Sequence, residues 1–365
     1  LRRQARAKWG ADADRMYFTR DGLEQATTGQ VAAYRARRIA DADLRPGAPE
    51  TTPFRSGGSD AGRGARIVDL CCGIGGDLIA LARAGLRVTG VDLDPLTAEI
   101  ARANLAELGL TGVADVEVSD AREVDRTAYA GVVADPARRS HRGRIFDPAD
   151  YSPSWSFVEE LVRESAACVK TAPIIPHRLL PDEVEAEWIS AGGEVKEAAL
   201  WSGRLSPNSP GTGSGVRRRA TVLPAGASLT DADDPGDAPV SRPLAYVYEP
   251  DGAVIRAGLV TAVAPLIGGA LLHPKIAYLT SDRLVSTPFA SAFRVVDVLP
   301  YDVKVLRRAL REREVGTLTV KKRGVDLDPP VLRRRLGVRG PAAATLVVTR
   351  TEAGTLALLV DPIAA

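Results

Sequence analysis

The 28 residues from Ile67 to Asp94, IVDLCCGIGGDLIALARAGLRVTGVDLD, constrain the chain more than any other stretch. The first apolar run, Ile67-Val68-Asp69-Leu70, is too short for a helix and β-branched enough for a buried parallel strand; it stops at Gly73, Gly75 and Gly76. From Asp77 the spacing becomes helical through Leu78, Ile79, Leu81 and Ala82 until Gly85, and a second buried run over 86–91 ends in Asp92. The pattern is one βαβ unit with a glycine-rich first turn and an acid at the tip of its second strand.

That arrangement suits an adenosine-containing ligand. Glycines let the backbone approach it, the helix N-terminus offers unpaired N–H groups, and the acid at the second strand tip accepts ribose hydroxyls. Asp69 and Asp92 lie 23 residues apart, near the spacing of such a fingerprint, but Cys-Gly-Ile-Gly-Gly is not the dinucleotide pattern G-x-G-x-x-G. An α/β domain whose glycine turn is purely structural would show the same residues. The stretch resembles the class I S-adenosylmethionine (SAM) methyltransferases. By that resemblance Asp69 supports the loop holding the methionine part, Asp92 matches the ribose acid, and Asp120 in Val118-Ser119-Asp120-Ala121 matches the residue near the adenine amine. The expected cofactor-binding set is Thr27, Asp69, Cys71, Gly73, Gly75, Gly76, Asp77, Asp92, Leu93, Asp120, Ala121 and Asp135.

At 365 residues the chain exceeds what one core usually accommodates, so two domains are expected. No uninterrupted apolar segment approaches the roughly 20 residues of a membrane helix, and no leader-like segment precedes the first domain, so a cytoplasmic protein without a membrane partner is expected. Cys71, Cys72 and Cys168 suit neither a disulfide framework nor a zinc site, and no metal is expected.

Residues 1–45 read as helical and mildly basic, ten Lys/Arg against six Asp/Glu. Arg2, Arg3, Arg6 and Lys8 suit either phosphate contact or a solvated helix face. Tyr17-Phe18 and a turn precede a helix over 30–40 capped by Thr27 or Thr28. The Lys8-Trp9 helix, the aromatic turn, and Gly22 and Thr27 leading into a helix look like the leading segment of the trimethylguanosine synthase group of RNA methyltransferases, in which it folds over the SAM pocket. Residues 46–65, rich in Pro, Gly, Ser and Thr, read as a flexible connection.

A helix over 95–108 and strands over 115–119 and 130–134 follow, the last ending in Asp135-Pro136-Ala137-Arg138-Arg139. Ligands of open parallel sheets lie at the carboxyl ends of the strands, so this tip belongs beside the transferable methyl. Methyl transfer needs a nucleophile held in line and an outlet for its proton. An Asp-Pro pair offers a carboxylate and a main-chain carbonyl to an amino group, which makes Asp135, Pro136 and Arg138 the catalytic candidates. Methyltransferases acting on base amino groups carry Asn/Asp/Ser-Pro-Pro-aromatic here; this chain lacks the aromatic, leaving stacking to Arg138 or to Tyr151, Trp155 and Phe157. The tip also resembles the Asp-Pro-Pro-Arg of uracil-C5 methyltransferases, which need a cysteine nucleophile. Cys168, in a run that reads as the fifth strand, suits a buried structural thiol better, so carbon methylation is not the leading expectation.

The loop over 138–144 carries Arg138, Arg139, Arg142 and Arg144 around His141, either a solvated surface or a phosphate contact. Tyr151 and Trp155 continue it toward a helix over 157–164; Lys170 and His177 line the same edge. Strands over 194–201 and 217–223 would supply the antiparallel sixth and seventh strands.

After an acidic linker over 228–243, a second domain mixes a helix near 257–266, strands over 275–280, 293–299 and 316–321, helices over 301–313 and 330–336, and two strands ending at Val360. Between Tyr301 and Gly340, 12 Lys/Arg face 5 Asp/Glu, a local net of +7 against +2 for the chain. Lys321-Lys322-Arg323 and Arg333-Arg334-Arg335 form a candidate nucleic-acid backbone surface. This half is similar to the THUMP-like domain appended to a group of bacterial methyltransferases; true THUMP modules bind RNA. The expected fold is α/β: a Rossmann-like seven-stranded class I methyltransferase domain over 66–225, an N-terminal helical segment over 1–45 forming a substrate and cofactor lid, and a smaller THUMP-like α/β domain over 245–365. The expected activity is methyl transfer from SAM to a base nitrogen in RNA (tRNA or rRNA), with Arg139, Tyr151, Trp155, Lys321, Lys322 and Arg323 on the substrate. The alternatives are a small-molecule methyltransferase and a SAM- or RNA-binding protein without turnover.

Overall fold

A computed structural model describes residues 1–42, 44, 64–137, 139–140, 143–144, 151–206 and 215–363. Its contacts divide the chain into two compact units, Leu1–Ala232 and Asp233–Ala365.

In the first unit the glycine-rich stretch folds as its pattern predicts: β1 (Arg66–Leu70), α4 (Gly76–Arg83), β2 (Arg87–Asp92), preceded by α1 (Arg2–Trp9), α2 (Arg20–Gln25) and α3 (Gly29–Ala40). The chain continues through α5 (Pro95–Glu107), β3 (Ala114–Val118), β4 (Gly131–Ala134), α6 (Trp155–Glu164) and β5 (Ala167–Thr171). Four more strands follow, β6 (Glu185–Ala191), β7 (Glu194–Trp201), β8 (Arg218–Leu223) and β9 (Ala227–Thr230). All nine form one sheet, ordered β9-β8-β6-β7-β5-β4-β1-β2-β3.

The expected seven strands are thus extended to nine, and the roles of the last ones change. The sixth strand is β6, a stretch the sequence pattern passes over. Segment 194–201 pairs antiparallel with both β5 and β6, so it is the seventh. Segment 217–223, expected as the seventh, instead pairs parallel with β6, farther out. β9 pairs antiparallel with β8 and takes up the start of the acidic stretch expected to be linker.

Register then sets which side chains share a face. Leu70 pairs with Ala134 and Ala134 with Val169, so Asp135 and Lys170 come next in line at the carboxyl ends. Lys170 pairs with Ala199, and Ala199 with Glu187. Because side chains alternate along a strand, Asp69, Asp135, Cys168, Lys170, Glu197, Glu185 and Glu187 all point to one face of the sheet.

That face is covered by α3, whose buried positions Val31, Ala32, Arg35, Ala36, Arg38 and Ile39 follow helical spacing but include two arginines. α3 closes against α4, and Trp9 packs over the start of α4, where a Cβ at Gly76 would stand 3.1 Å from its ring. Of the basic residues at the N-terminus, Arg6 pairs with Asp14 at 2.9 Å and Lys8 donates to the main-chain oxygens of Leu23, Glu24 and Ala26. Among the described residues, no helix is long and apolar enough to cross a membrane.

The second unit is a seven-stranded mixed sheet. Its strands are β10 (Tyr246–Pro250), β11 (Ala270–His273), β12 (Ile276–Ser281), β13 (Ala290–Pro300), β14 (Val315–Arg323), β15 (Ala342–Thr351) and β16 (Gly354–Pro362), ordered β11-β12-β10-β13-β16-β15-β14. Its helices are α7 (Gly252–Ala257), α8 (Val260–Ile267), α9 (Val303–Glu312) and α10 (Pro329–Leu336). Leu306, Leu310, Leu332 and Leu336 pin α9 and α10 to the sheet with Leu318, Leu346 and Leu359. The helix expected near 257–266 is α8, and a further helix, α7, which the sequence pattern passes over, precedes it and ends at Gly258, which takes φ +70°.

The turns before β14 and β15 pass backbone to backbone: a Cβ at Gly340 would lie 2.0 Å from the Glu314 oxygen. Gly340→Ala is therefore expected to destabilise the second unit by about 3 kcal/mol or more, against about 1–2 kcal/mol at Gly236, where a Cβ meets nothing within 4 Å and only the left-handed backbone, φ +81°, is strained. Urea unfolding of the two variants would measure it.

Candidate active site

The site grows from the turn that follows β1. Cys71 has φ +59°, Gly73 +57° and Gly75 +91°, so three of five successive residues sit in left-handed backbone, costly for Cys71 and natural for the glycines. The loop is stitched to the tip of β2: the Gly73 N–H donates to Asp92 Oδ2 at 2.9 Å, and the Asp94 N–H donates to Oδ1 at 3.0 Å. Burial pushes the Asp92 carboxyl up despite those N–H donors. Each oxygen keeps a lone pair for a further donor. Leu93 beside it is exposed, and a Cβ at Gly73 would meet nothing within 4 Å, so the loop is open on that side.

The N-terminal segment packs behind the loop. Asn104 on α5 donates to the Ile74 oxygen at 2.9 Å and accepts the Tyr17 N–H at 2.7 Å. A Cβ at Gly22 would collide with Ile74 at 2.6 Å. At the third strand tip, Arg122 binds both oxygens of Asp120, a hydrogen bond and ion pair that lower this half-buried carboxyl to about 2; Ala121 next to it is buried.

Beneath the loop lies a buried charge network. Asp77, in the first turn of α4, is held by the Arg35 guanidinium and by Lys170 Nζ at 3.1 Å. Arg35 also pairs with Glu197 on β7. Burial alone would raise the Asp77 carboxyl, but Arg35 and Lys170 outweigh it and hold it well below the ordinary aspartate value. Asp69 is 1% exposed with no partner on Oδ2 among the described residues, and burial, then the like charge of Asp77, push its carboxyl well up. A second network ties α3 to β6: Arg38 pairs with Glu187 at 2.7 Å and Glu185 at 2.8 Å, lies over the Trp201 ring at 4.0 Å, and Tyr34 donates to Glu187 at 2.5 Å.

At the tip of β4 the Asp135 N–H donates to the Leu70 oxygen at 3.1 Å, and its side chain, 25% exposed, is paired with Lys170; Pro136 is buried. Thr27 accepts from Lys170 at 2.5 Å. Arg138 and the residues around His141 lie outside the described residues, and for Arg139 only the backbone, in a short ribbon with Arg144, is described. Tyr151, expected to offer its ring for stacking, is 5% exposed; its hydroxyl accepts the Ala172 N–H at 3.2 Å and its ring meets Trp155 edge-on. Trp155, half-buried, is the more accessible ring. His177 packs on Trp188 at 5.0 Å. Cys168 is fully buried, and burial pushes its thiol up to about 12, which suits a structural thiol.

The expected surface at Lys321-Lys322-Arg323 divides between two faces. Lys321 and Arg323 point the same way, both pair with Glu249 (2.6 and 3.4 Å), and they lie against the Phe293 and Tyr278 rings; Lys322 alone is exposed on the other side. Arg333, Arg334 and Arg335 on α10 are exposed.

Known proteins share sequence and fold with this chain. The chain is 38% identical, over 98% of its length and 92% of the relative's, to an uncharacterized S-adenosylmethionine-dependent methyltransferase of Mycobacterium tuberculosis, the same in strains CDC 1551 and H37Rv. This chain belongs to the S-adenosylmethionine-dependent methyltransferases. Residues 67–135 match the methyltransferase domain family and residues 290–362 the THUMP domain-like family. A solved structure from Porphyromonas gingivalis W83, provisionally assigned as a methyltransferase, shares the fold with a TM-score of 0.76 at 24% identity, covering 100% of this chain and 88% of its own. The protein is therefore an enzyme whose cofactor is S-adenosylmethionine. The open loop, the orphaned buried Asp69 oxygen and the part-occupied Asp92 carboxylate fit that cofactor.

Sequence reasoning missed Arg35, Arg38, Glu185, Glu187 and Glu197. The available signals were arginines at the inner spacing of an amphipathic helix and acids alternating within an otherwise apolar strand. The methyltransferase should also show the network in its pH response. Asp77 is lower in the fold than in the unfolded chain, so the stability it contributes is complete above the ordinary aspartate value near 4 and is lost as pH falls below it. Chemical unfolding between pH 7 and 3 is expected to show a steep loss below pH 4 in the parent and a shallower one in Asp77→Asn.

Proposed function

We propose that this methyltransferase acts on a base nitrogen in RNA. The observation that carries the reading is the Asp135-Pro136 tip: a part-exposed carboxylate, one oxygen held by Lys170, in register with the glycine loop. SAM supplies an electrophilic methyl on a sulfonium. Cys71, Gly73, Gly75, Gly76, Asp77 and Asp69 would hold its amino-acid end, Asp92 and Leu93 its ribose, and Asp120 and Ala121 its base; Thr27 supports the site from the N-terminal segment.

Asp135 Oδ1 has no partner among the described residues, so it is available to an N–H donor of the target base. Accepting one proton of the amine directs the nitrogen lone pair along a fixed line. One proton leaves the nitrogen for each methyl gained, and the part-exposed Asp135 can pass it to water. The charges around it, Arg35 and Lys170 against Asp77, Asp135 and Glu197, leave one negative charge unbalanced, which favours a cationic ligand. Half-buried Trp155 supplies a ring near this edge for a base taken out of its stack.

Support for RNA comes from the match of residues 290–362 to the THUMP domain-like family and from the arginines on α9 and α10. Lys321 and Arg323 are committed to Glu249, so we assign backbone contact to the helices in preference to β14.

Two experiments test this. Labelled methyl from SAM, supplied with total RNA of cells lacking the protein, is expected in one nucleoside and to vanish with Asp135→Ala while SAM binding persists. Label in the small-molecule fraction instead would move the substrate class, and loss of transfer in Cys168→Ser, expected to keep activity within about threefold, would favour carbon methylation. Replacing Arg333, Arg334 and Arg335 by Ala is expected to weaken RNA binding and reduce its salt slope by about 2–3; Lys321→Ala is expected to leave that slope unchanged, as filter binding over a salt series would show.

A further inference from the structure

Lys170 is the fourth residue of β5, 2% exposed, and its ammonium has three protons to donate. All three are used: Thr27 Oγ1 at 2.5 Å, Asp77 Oδ2 at 3.1 Å, and Asp135 Oδ2. The three acceptors come from separate parts of the chain, namely the turn between α2 and α3, the first turn of α4, and the tip of β4. Asp77 has a second ion-paired cation in Arg35, whereas among the described residues Asp135 forms no other ion pair, Arg35 acting on it only at longer range, and Thr27 has no other side-chain partner.

We infer that Lys170 is a positioning residue for methyl transfer, fixing the Asp135 carboxylate and, through the same ammonium, latching the N-terminal segment at Thr27. The inference rests on Asp135 being the transfer-site carboxylate. A carboxylate at a strand tip has several rotamers, and a misplacement of about 1 Å at a reacting centre costs on the order of 100-fold in rate. An ammonium buried at the end of a central strand selects one of them. It also makes the catalytic geometry depend on the N-terminal segment being in place, since without Thr27 one proton of a buried cation loses its acceptor. Removing the ammonium leaves Asp77 neutralised by Arg35, so the loss falls on Asp135 and Thr27.

The test uses the full chain with SAM and with the RNA fraction that accepts methyl. Hydrogen exchange across residues 20–40, SAM affinity, and KM and kcat are read for Lys170→Met, Lys170→Arg, Thr27→Val and Asp135→Asn. Lys170→Met is expected to bind SAM within about tenfold of the parent, to lose about 100-fold in kcat, and to exchange faster over 20–40. Lys170→Arg keeps the charge and is expected to recover at least about tenfold of that kcat. Thr27→Val is expected to speed exchange over the same residues and raise the KM for SAM, with a far smaller fall in kcat. Asp135→Asn is expected to lose transfer and keep the parent's exchange.

Parent-like exchange and kcat in Lys170→Met would overturn the inference, as would a Lys170→Arg chain no better than Lys170→Met. If Lys170→Met does not fold, parent-like exchange in Thr27→Val overturns the latch. Normal transfer by Asp135→Asn would instead remove the transfer-site reading, and faster exchange in Lys170→Met would still uphold the latch.

Discussion

A charge removed from water must find a partner, and this constraint shapes the first unit more than any apolar contact. Arg35, Arg38 and Lys170 are buried, as are Asp77, Glu185, Glu187 and Glu197. Leaving one such group unpaired costs about 3–5 kcal/mol, so the pairs form together or not at all. The cations on α3 reach acids on α4, β6 and β7, some 40 to 160 residues later in the chain. An apolar helix face could slide on a sheet; a face with two arginines aimed at particular carboxylates cannot. The helix that follows the Thr27 turn is thereby held in one register over the carboxyl half of the sheet, beside the glycine loop.

In the transfer proposed above, the same network would supply an electrostatic setting for a cationic cofactor and a fixed acceptor for an N–H group. Asp135 is the part-exposed end of a chain of ion pairs that runs back through Lys170 and Asp77 to Arg35 and Glu197. Rigid support behind a solvent-reached carboxylate fixes its position and leaves it open to water.

In the second unit, strand geometry sorts the basic residues. Three consecutive cations on β14 cannot form one surface, because a strand sends neighbours to opposite faces. Glu249 and the rings of Tyr278 and Phe293 take Lys321 and Arg323 into the body of the unit. A helix spreads its side chains around its axis, so α10 keeps Arg333, Arg334 and Arg335 in water while Leu332 and Leu336 face the core.

The βαβ unit at 67–94, the acids at the strand tips and the Asp135-Pro136 end of β4 were determined by sequence alone, because each depends on local chemistry: a short β-branched run, glycines where backbone turns left-handed, helical spacing that begins at an acid. The order of the outer strands was not. β6 carries Glu185 and Glu187, which read as polar until Arg38 is seen to meet them, and β8 differs from an antiparallel seventh strand only in its partner. Lys170 was legible as a residue on the right edge, but not as the group joining Thr27, Asp77 and Asp135. Those features were decided by tertiary structure, because the partners that make a buried charge tolerable lie far away in sequence and meet only when the sheet is assembled and α3 closes over it.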